Sequence, residues 1–322
     1  MNRKHDVPRH LEKPPALDEP DTSVQVHEQA GRILNLDAAA VPGFIQLCLQ
    51  EHHRLVSSHS GLVRKDAPES AVSVVYLPGM PKACVKEIRR RGIGHGLKSL
   101  FRPTQGLRAY RNGWKLNEAG FGAASPLALV RKKKRGLIRA EWIVMEVIPG
   151  SLELDRYLVH RIRQHWTAEE KRGMARLLGR FIGSMHANGI FHSDLKTCNI
   201  VVSEDDPSAE DLTQSGQWRP INPCRPIRFS LLDYDDVAFA AEVPDRKRVK
   251  NLVQIFLSMP SAVNGGDRLR FLNEYALHAG LNGPHKRRIA LQVLREVRGK
   301  DILYVGFDGD VIEKWDAGDS EP

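Results

Sequence analysis

Between positions 189 and 202 the chain reads GIFHSDLKTCNIVV, which sets an acid, a cation and an amide close together at Asp194, Lys196 and Asn199. A second apolar run, FSLL, closes on Asp233-Tyr234-Asp235, with Asp233 lying 34 residues beyond Asn199. Phosphoryl transfer calls for such a set. A carboxylate must accept the proton of an attacking hydroxyl, hard oxygens must hold magnesium against phosphates, and a cation must offset charge on the transferred group. One polar residue at a strand end is ordinarily a turn former. The combination is what carries the chemistry.

These residues must be presented by regular elements, and the flanking sequence supplies them. Thr167 and Glu170 make a capping box, and Met174, Leu177, Leu178, Phe181, Ile182 and Met185 follow at helical spacing. Gly189 suits the left-handed position just past that helix, so the polar residues sit on a loop at its exit. Upstream, AVSVVYL and KACVKEI read as a hairpin across PGMP, GLRAYRNGWKLNEAG (106–120) as a helix, and SPLALVR and AEWIVMEVI as two strands joined by KKKRG. Downstream, 246–259 and 266–280 read as helices. A strand-rich first half and a helix-rich second half predict an α+β chain with two lobes: a mobile arm over 1–40 with one short helix near SVQVHEQAGRIL, a first lobe over 41–148, and a second over 149–322.

With 322 residues, 41% of them hydrophobic, the chain is long enough for two packed lobes. No apolar run approaches the roughly 20 residues of a membrane span, and the polar N-terminus does not read as a secretory signal. Cys48, Cys84, Cys198 and Cys224 show no metal-ligand spacing and fit a reducing, cytoplasmic compartment. The excess of 48 Lys and Arg over 39 Asp and Glu favours anionic partners. Its basic residues lack the interleaved aromatics of single-strand binding, so no nucleic acid is expected.

The run from His192 to Asn199 resembles the catalytic loop H-x-D-L-x-x-x-x-N of protein-kinase-like enzymes, with Asp233-Tyr234-Asp235 where D-F-G would stand. The resemblance implies a protein-kinase-like two-lobed fold, with a strand-rich N-terminal lobe and a helical C-terminal lobe. It makes Asp194 the catalytic base, puts Lys196 on the γ-phosphate, and makes Asn199 and Asp233 the magnesium ligands, with His192 as a buttress. It also implies a strand lysine for the α- and β-phosphates, which ACVKEI supplies as Lys86. WIVMEVIPG resembles the approach to a kinase hinge, where backbone groups of Glu146 and Ile148 would bond adenine. There are departures. No G-x-G-x-x-G precedes the first hairpin, Ser193 replaces the usual Arg, and no A-P-E follows Asp233. The acid expected to pair with Lys86 stays open. Before Glu141 only Glu87 and Glu118 follow it, one on the opposite strand face and one at a helix end.

Together with LRAYRNGWKLNEAGFGAASPLAL and RKRVKNLVQIFLSMP, these segments resemble the lipopolysaccharide kinase (Kdo/heptose kinase) family, over roughly residues 50 to 280. That family implies ATP and magnesium, a sugar hydroxyl of a lipopolysaccharide precursor as acceptor, and work at the cytoplasmic face of the inner membrane. Arg89, Arg90, Arg91, Lys98 and Arg102 then form either a solvated linker or a holder for an anionic glycolipid or membrane face. Two alternatives stay open: a kinase for another small molecule such as an aminoglycoside or choline-like alcohol, and a pseudokinase that binds without turnover.

Overall fold

Along Ala83–Arg89 successive side chains alternate, sending Ala83, Val85 and Glu87 to one side and Lys86 and Ile88 to the other. Both sides are covered. The computed structural model describes residues 14–89, 102–164, 166–204, 227–260 and 262–300. They divide into two compact units, one running to Asn117 and resuming over Ala124–Val147, the other comprising Glu118–Ala123 and the chain from Ile148.

The first unit is a six-stranded antiparallel sheet. Its strands are β1 (Thr22–Val26), β2 (Val63–Ala67), β3 (Ser70–Val75), β4 (Ala83–Arg89), β6 (Pro126–Lys134) and β7 (Leu137–Glu146), in the order β1-β6-β7-β4-β3-β2. Three helices join it: α1 (Ala30–Leu34), α2 (Val41–Ser57) and α3 (Gln105–Glu118). Phe44, Ile45, Cys48 and Leu49 of α2 pack on Val85, Trp142 and Val144, which forms the core of this unit.

Two expectations are corrected here. Residues 22–34 belong to the sheet and core rather than to an arm. β1 pairs with β6 from Thr22 opposite Lys132 to Val26 opposite Ala128, α1 buries Ala30 and Leu34, and the His27 ring stacks on Trp114 at 3.4 Å. Thr22, Val24 and Val26 alternate as a strand's residues do, and Val24 packs on the core, but five residues set among polar neighbours give too short a signal to stand out. Arg89, read as part of a basic run, is buried. It donates to Glu87 Oε2 at 2.9 Å and to Asp66 Oδ1 at 3.3 Å, so its charge is spent inside the unit. Of the rest of that run, Arg102 is exposed and Arg90, Arg91 and Lys98 lie outside the described residues, as does most of the long hairpin connection over 203–217.

The second unit contains α4 (Leu154–Arg163), α5 (Ala168–Ala187), α6 (Asp245–Leu257), α7 (Gly265–His278) and α8 (Gly283–Val297). A small sheet orders β5 (Gly122–Ala123), β11 (Ile227–Leu231), β10 (Ile200–Glu204) and β8 (Leu152–Glu153), and a separate ribbon pairs β9 (Ile190–His192) with β12 (Val237–Phe239). The capping box is present, with the Glu170 N–H donating to Thr167 Oγ1 and the Thr167 N–H to Glu170 Oε2. At Gly183 a Cβ would stand 2.6 Å from the Tyr275 carbonyl oxygen, so only glycine lets α5 and α7 approach this closely.

In the first unit one buried carboxylate ties helix to sheet. Glu141 of β7 accepts from the Thr104 hydroxyl and, at 3.3 Å, from the Gly106 N–H at the start of α3. Glu141→Ala is therefore expected to lower stability by roughly 3 kcal/mol, because two buried donors lose their acceptor. Glu141→Gln, which keeps an acceptor, should lose less. Urea unfolding of the two variants checks the order.

Candidate active site

The site in the second unit starts from a turn. At Gly189 φ is +71°, and a Cβ there would fall 1.7 Å from the carbonyl oxygen of Ala240. The glycine lets the chain leave α5 and enter β9 at once, pairing Ile190 with Phe239 and His192 with Val237. Asp194 follows on the loop. The next turn, Thr197–Asn199, is pinned from α6's C-terminal end: the Thr197 N–H donates to Ser258 Oγ at 2.9 Å, and its hydroxyl to the Ser258 carbonyl at 2.6 Å.

Lys196 Nζ lies 3.0 Å from Asp194 Oδ1 and donates to Oδ2 at 3.2 Å, with both side chains half-exposed. Asn199 Nδ2 donates to the Asp194 carbonyl at 2.7 Å and to its Oδ2 at 3.3 Å. From α6, Gln254 Nε2 donates to Asp194 Oδ1 at 3.2 Å. The Asp194 carboxylate thus stands at the solvent edge of a set of donors, where an alcohol could reach it.

His192 is wholly buried behind it. Its Nε2–H donates to the Leu232 carbonyl at 2.9 Å and its Nδ1 accepts the Asp194 N–H at 3.1 Å, an arrangement that only the neutral ring can make. Burial pushes this imidazole below its ordinary value, against the pull of the Leu232 bond and the neighbouring aspartates. A second histidine, His186, sits deeper. Its Nε2–H donates to Asn251 Oδ1 at 3.0 Å and its Nδ1 accepts from the Tyr275 hydroxyl at 2.9 Å. Burial brings it down to about 4, with the Arg248 guanidinium acting in the same direction.

β10 and β11 are antiparallel with Ile200 opposite Leu231, so Asn199 and Asp233 leave the same end of the hairpin, joined by the Leu232 N–H donating to the Asn199 carbonyl at 2.8 Å. Asp233 holds φ 48° and ψ 40°, a left-handed conformation that is uncommon for any residue but glycine and concentrated at functional sites. With Asn199 Nδ2 committed to Asp194, its Oδ1 is the atom left to ligate. An amide oxygen and a carboxylate from one hairpin end are hard donors that suit magnesium, which takes one or two protein groups and completes its shell with phosphate and water. Among the described residues no group of three or more His, Cys, Asp or Glu could hold a metal.

The first unit holds the other expected residues. Lys86 is buried on β4 opposite Ile143 of β7. Glu87 points to the other face, 3.5 Å from His52 Nε2 and bonded by Arg89, and Glu118 is exposed at the last position of α3. Glu146 is occupied: its N–H donates to the Ser125 carbonyl at 3.0 Å and its Oε1 accepts from the Ser125 hydroxyl at 2.6 Å. The adenine role expected of its backbone therefore narrows to the carbonyl. Ile148 falls in the second unit, past the end of β7. The structure brings Asp194, Lys196, Asn199 and Asp233 together, and sets Lys86 and Glu146 on neighbouring strands of the other unit's sheet.

Sequence reasoning missed Asn251, Gln254 and Ser258. Their signal was a polar stripe at i, i+3 and i+7 within the apolar NLVQIFLS.

An antiparallel sheet carrying a buried strand lysine, and a helical unit carrying this loop and hairpin, define a protein-kinase-like chain. A solved structure described as WaaP in complex with acyl carrier protein superimposes with a TM-score of 0.50 at 18% identity, covering 84% of this chain and 99% of that one. The lipopolysaccharide kinase (Kdo/WaaP) family profile matches residues 82–275, and the chain belongs to that family. Lipopolysaccharide core heptose(I) kinase WaaP of Pseudomonas aeruginosa is 25% identical over 198 residues, a match spanning 58% of this chain and 66% of that relative's length.

His186 generates a pH prediction. A histidine that is neutral when folded and free to charge when unfolded binds fewer protons in the folded state, so its contribution to stability rises with pH. That contribution is complete above the ordinary value of 6.5 and is lost as pH falls toward about 4. The drop in unfolding free energy between pH 7 and pH 4.5 should therefore be smaller by about 2 kcal/mol in His186→Gln than in the parent. Equal drops in urea titrations at the two pH values would show that His186 does not titrate in that window.

Proposed function

We propose that this protein is an ATP- and magnesium-dependent kinase that phosphorylates a sugar hydroxyl, heptose or Kdo, of the lipopolysaccharide inner core or a related glycolipid. The observation that carries the reading is the Asp194 carboxylate, held by Lys196, Asn199 and Gln254 beside the Asn199–Asp233 hairpin end. Asp194 accepts the proton of the acceptor hydroxyl as its oxygen bonds to the γ-phosphorus, and the bond from that phosphorus to the β-phosphate oxygen breaks to release ADP. Lys196, two residues on, offsets charge on the transferred group. Asn199 and Asp233 would hold magnesium, which when bound draws negative charge from the phosphate oxygens. Lys86 holds the α- and β-phosphates, and the Glu146 carbonyl with the Ile148 backbone receives adenine.

Family membership supports this acceptor class, and the net charge of +9 suits an anionic glycolipid at the cytoplasmic face of the inner membrane. Among the described residues no helix is long and apolar enough to cross a membrane. A second reading, a nucleotide-binding pseudokinase, draws on one observation: α3 carries a single acid, Glu118, at its exposed end.

Transfer of phosphate from labelled ATP to purified inner-core oligosaccharides separates the readings. Asp194→Asn should reduce transfer by about a thousandfold while leaving nucleotide binding intact, and Lys86→Met should raise KM for ATP. Magnesium-dependent nucleotide binding with no transfer to any core acceptor would favour the pseudokinase.

A further inference from the structure

α6 turns three polar side chains toward the 192–197 loop, and the middle one has a use that loop-holding does not require. We infer that Gln254 is a positioning residue for Asp194, fixing the orientation of its carboxylate. The inference rests on the reading of Asp194 as the base.

Gln254 works with both ends of one amide. Its Oε1 accepts from the Leu195 N–H at 3.1 Å and from Asn251 Nδ2 at 3.0 Å. Its Nε2 donates to the Ser193 carbonyl at 3.1 Å and to Asp194 Oδ1 at 3.2 Å. Both partners of the oxygen are donors and both partners of the nitrogen are acceptors, so the amide has one orientation. Asn251 is fixed in the same way: Nδ2 donates to the His192 carbonyl at 2.6 Å, and Oδ1 accepts from His186, itself bonded by Tyr275. The backbone of three loop residues and the side chain of the fourth are held from one helix face.

The bond to Asp194 stands apart from the rest. The ties to Ser193, Leu195 and Asn251 are enough to hold the backbone. The donation to Oδ1 acts on a half-exposed side chain that, among the described residues, is otherwise met by half-exposed Lys196 and by Asn199 on the other oxygen. A neutral donor suits that task, because it orients a carboxylate without adding a charge that the transferred phosphate would feel. Misplacing a base by about 1 Å costs on the order of a hundredfold in rate.

Two substitutions divide the positioning role from the structural one. Gln254→Glu keeps acceptors for Leu195 and Asn251 and loses both donations. Gln254→Met keeps length and loses everything. Both should lower kcat for transfer to inner-core oligosaccharide by about 10- to 100-fold, with KM for ATP and the affinity for magnesium-ADP within about twofold of the parent. In an Asp194→Asn background the Gln254→Glu change should have no further effect on the residual rate, because it acts through Asp194. A crystal structure of Gln254→Met gives a readout independent of turnover, and the Asp194 carboxylate should occupy more than one rotamer. Parental kcat in Gln254→Glu overturns the inference, as does loss of nucleotide affinity in step with kcat, or an unchanged single rotamer. Full turnover by Asp194→Asn alone would instead overturn the base assignment.

Discussion

A carbonyl turned away from water without a donor costs about 1–3 kcal/mol, and the loop after β9 presents one that is buried, at His192, and two that are part-buried, at Ser193 and Asp194. The carbonyls of His192, Ser193 and Asp194 all face polar side chains of the same unit and are met by Asn251, Gln254 and Asn199 respectively. That requirement fixes which residues α6 can carry on this face. It fixes His192 as a neutral ring, since its Nδ1 must accept the Asp194 N–H, and burial keeps His186 uncharged beside it. The close approach of α5 to α7, permitted at Gly183, is what brings Tyr275 to His186 and closes the chain of bonds.

Satisfaction and chemistry are separated within this arrangement. His186, His192 and Asn251 are buried and hydrogen-bonded, whereas Asp194 and Lys196 stand half in solvent. An interior of this kind leaves the loop backbone little freedom, so the exposed carboxylate inherits a defined place from the buried groups behind it. The left-handed Asp233 fits the same division. Its strained backbone is held between β11 and the turn Tyr234–Asp236, whose last carbonyl accepts the Ser193 N–H at 3.2 Å.

Much of this was legible in the sequence because the signals are local. The capping box at Thr167, the glycine at 189, the spacing from Asp194 to Asn199 and the lysine in ACVKEI each involve residues close enough in the chain to read together. What escaped is non-local. β1 is a five-residue run that gains its place by pairing with β6, a hundred or so residues on, and by packing Val24 on the core. Arg89 looks like one more surface charge in a basic run, until Asp66 and Glu87 are seen around it. Gln254 lies 60 residues from Asp194, and the polar stripe it shares with Asn251 and Ser258 says that the helix has a polar face but not that a loop so far off in the chain meets it.

The acid expected beside Lys86 shows where family pattern and physical constraint diverge. In the kinase-like pattern a helix lends a glutamate to the strand lysine. In this chain the strand lends a glutamate to the helix: Glu141 of β7 caps the start of α3, whose own single acid, Glu118, is exposed at the far end. The register sets Lys86 opposite Ile143 and Ile88 opposite Glu141, so Lys86 and Glu141 are diagonal neighbours on one sheet face, a separation that long side chains span. A buried lysine on a strand needs negative charge close by, and at this diagonal position on its own face of the sheet the register places the carboxyl of Glu141. Glu141 thus accepts from the start of α3 on the same sheet face that carries Lys86, so the strand register brings the helix start and the buried lysine to one side of the sheet.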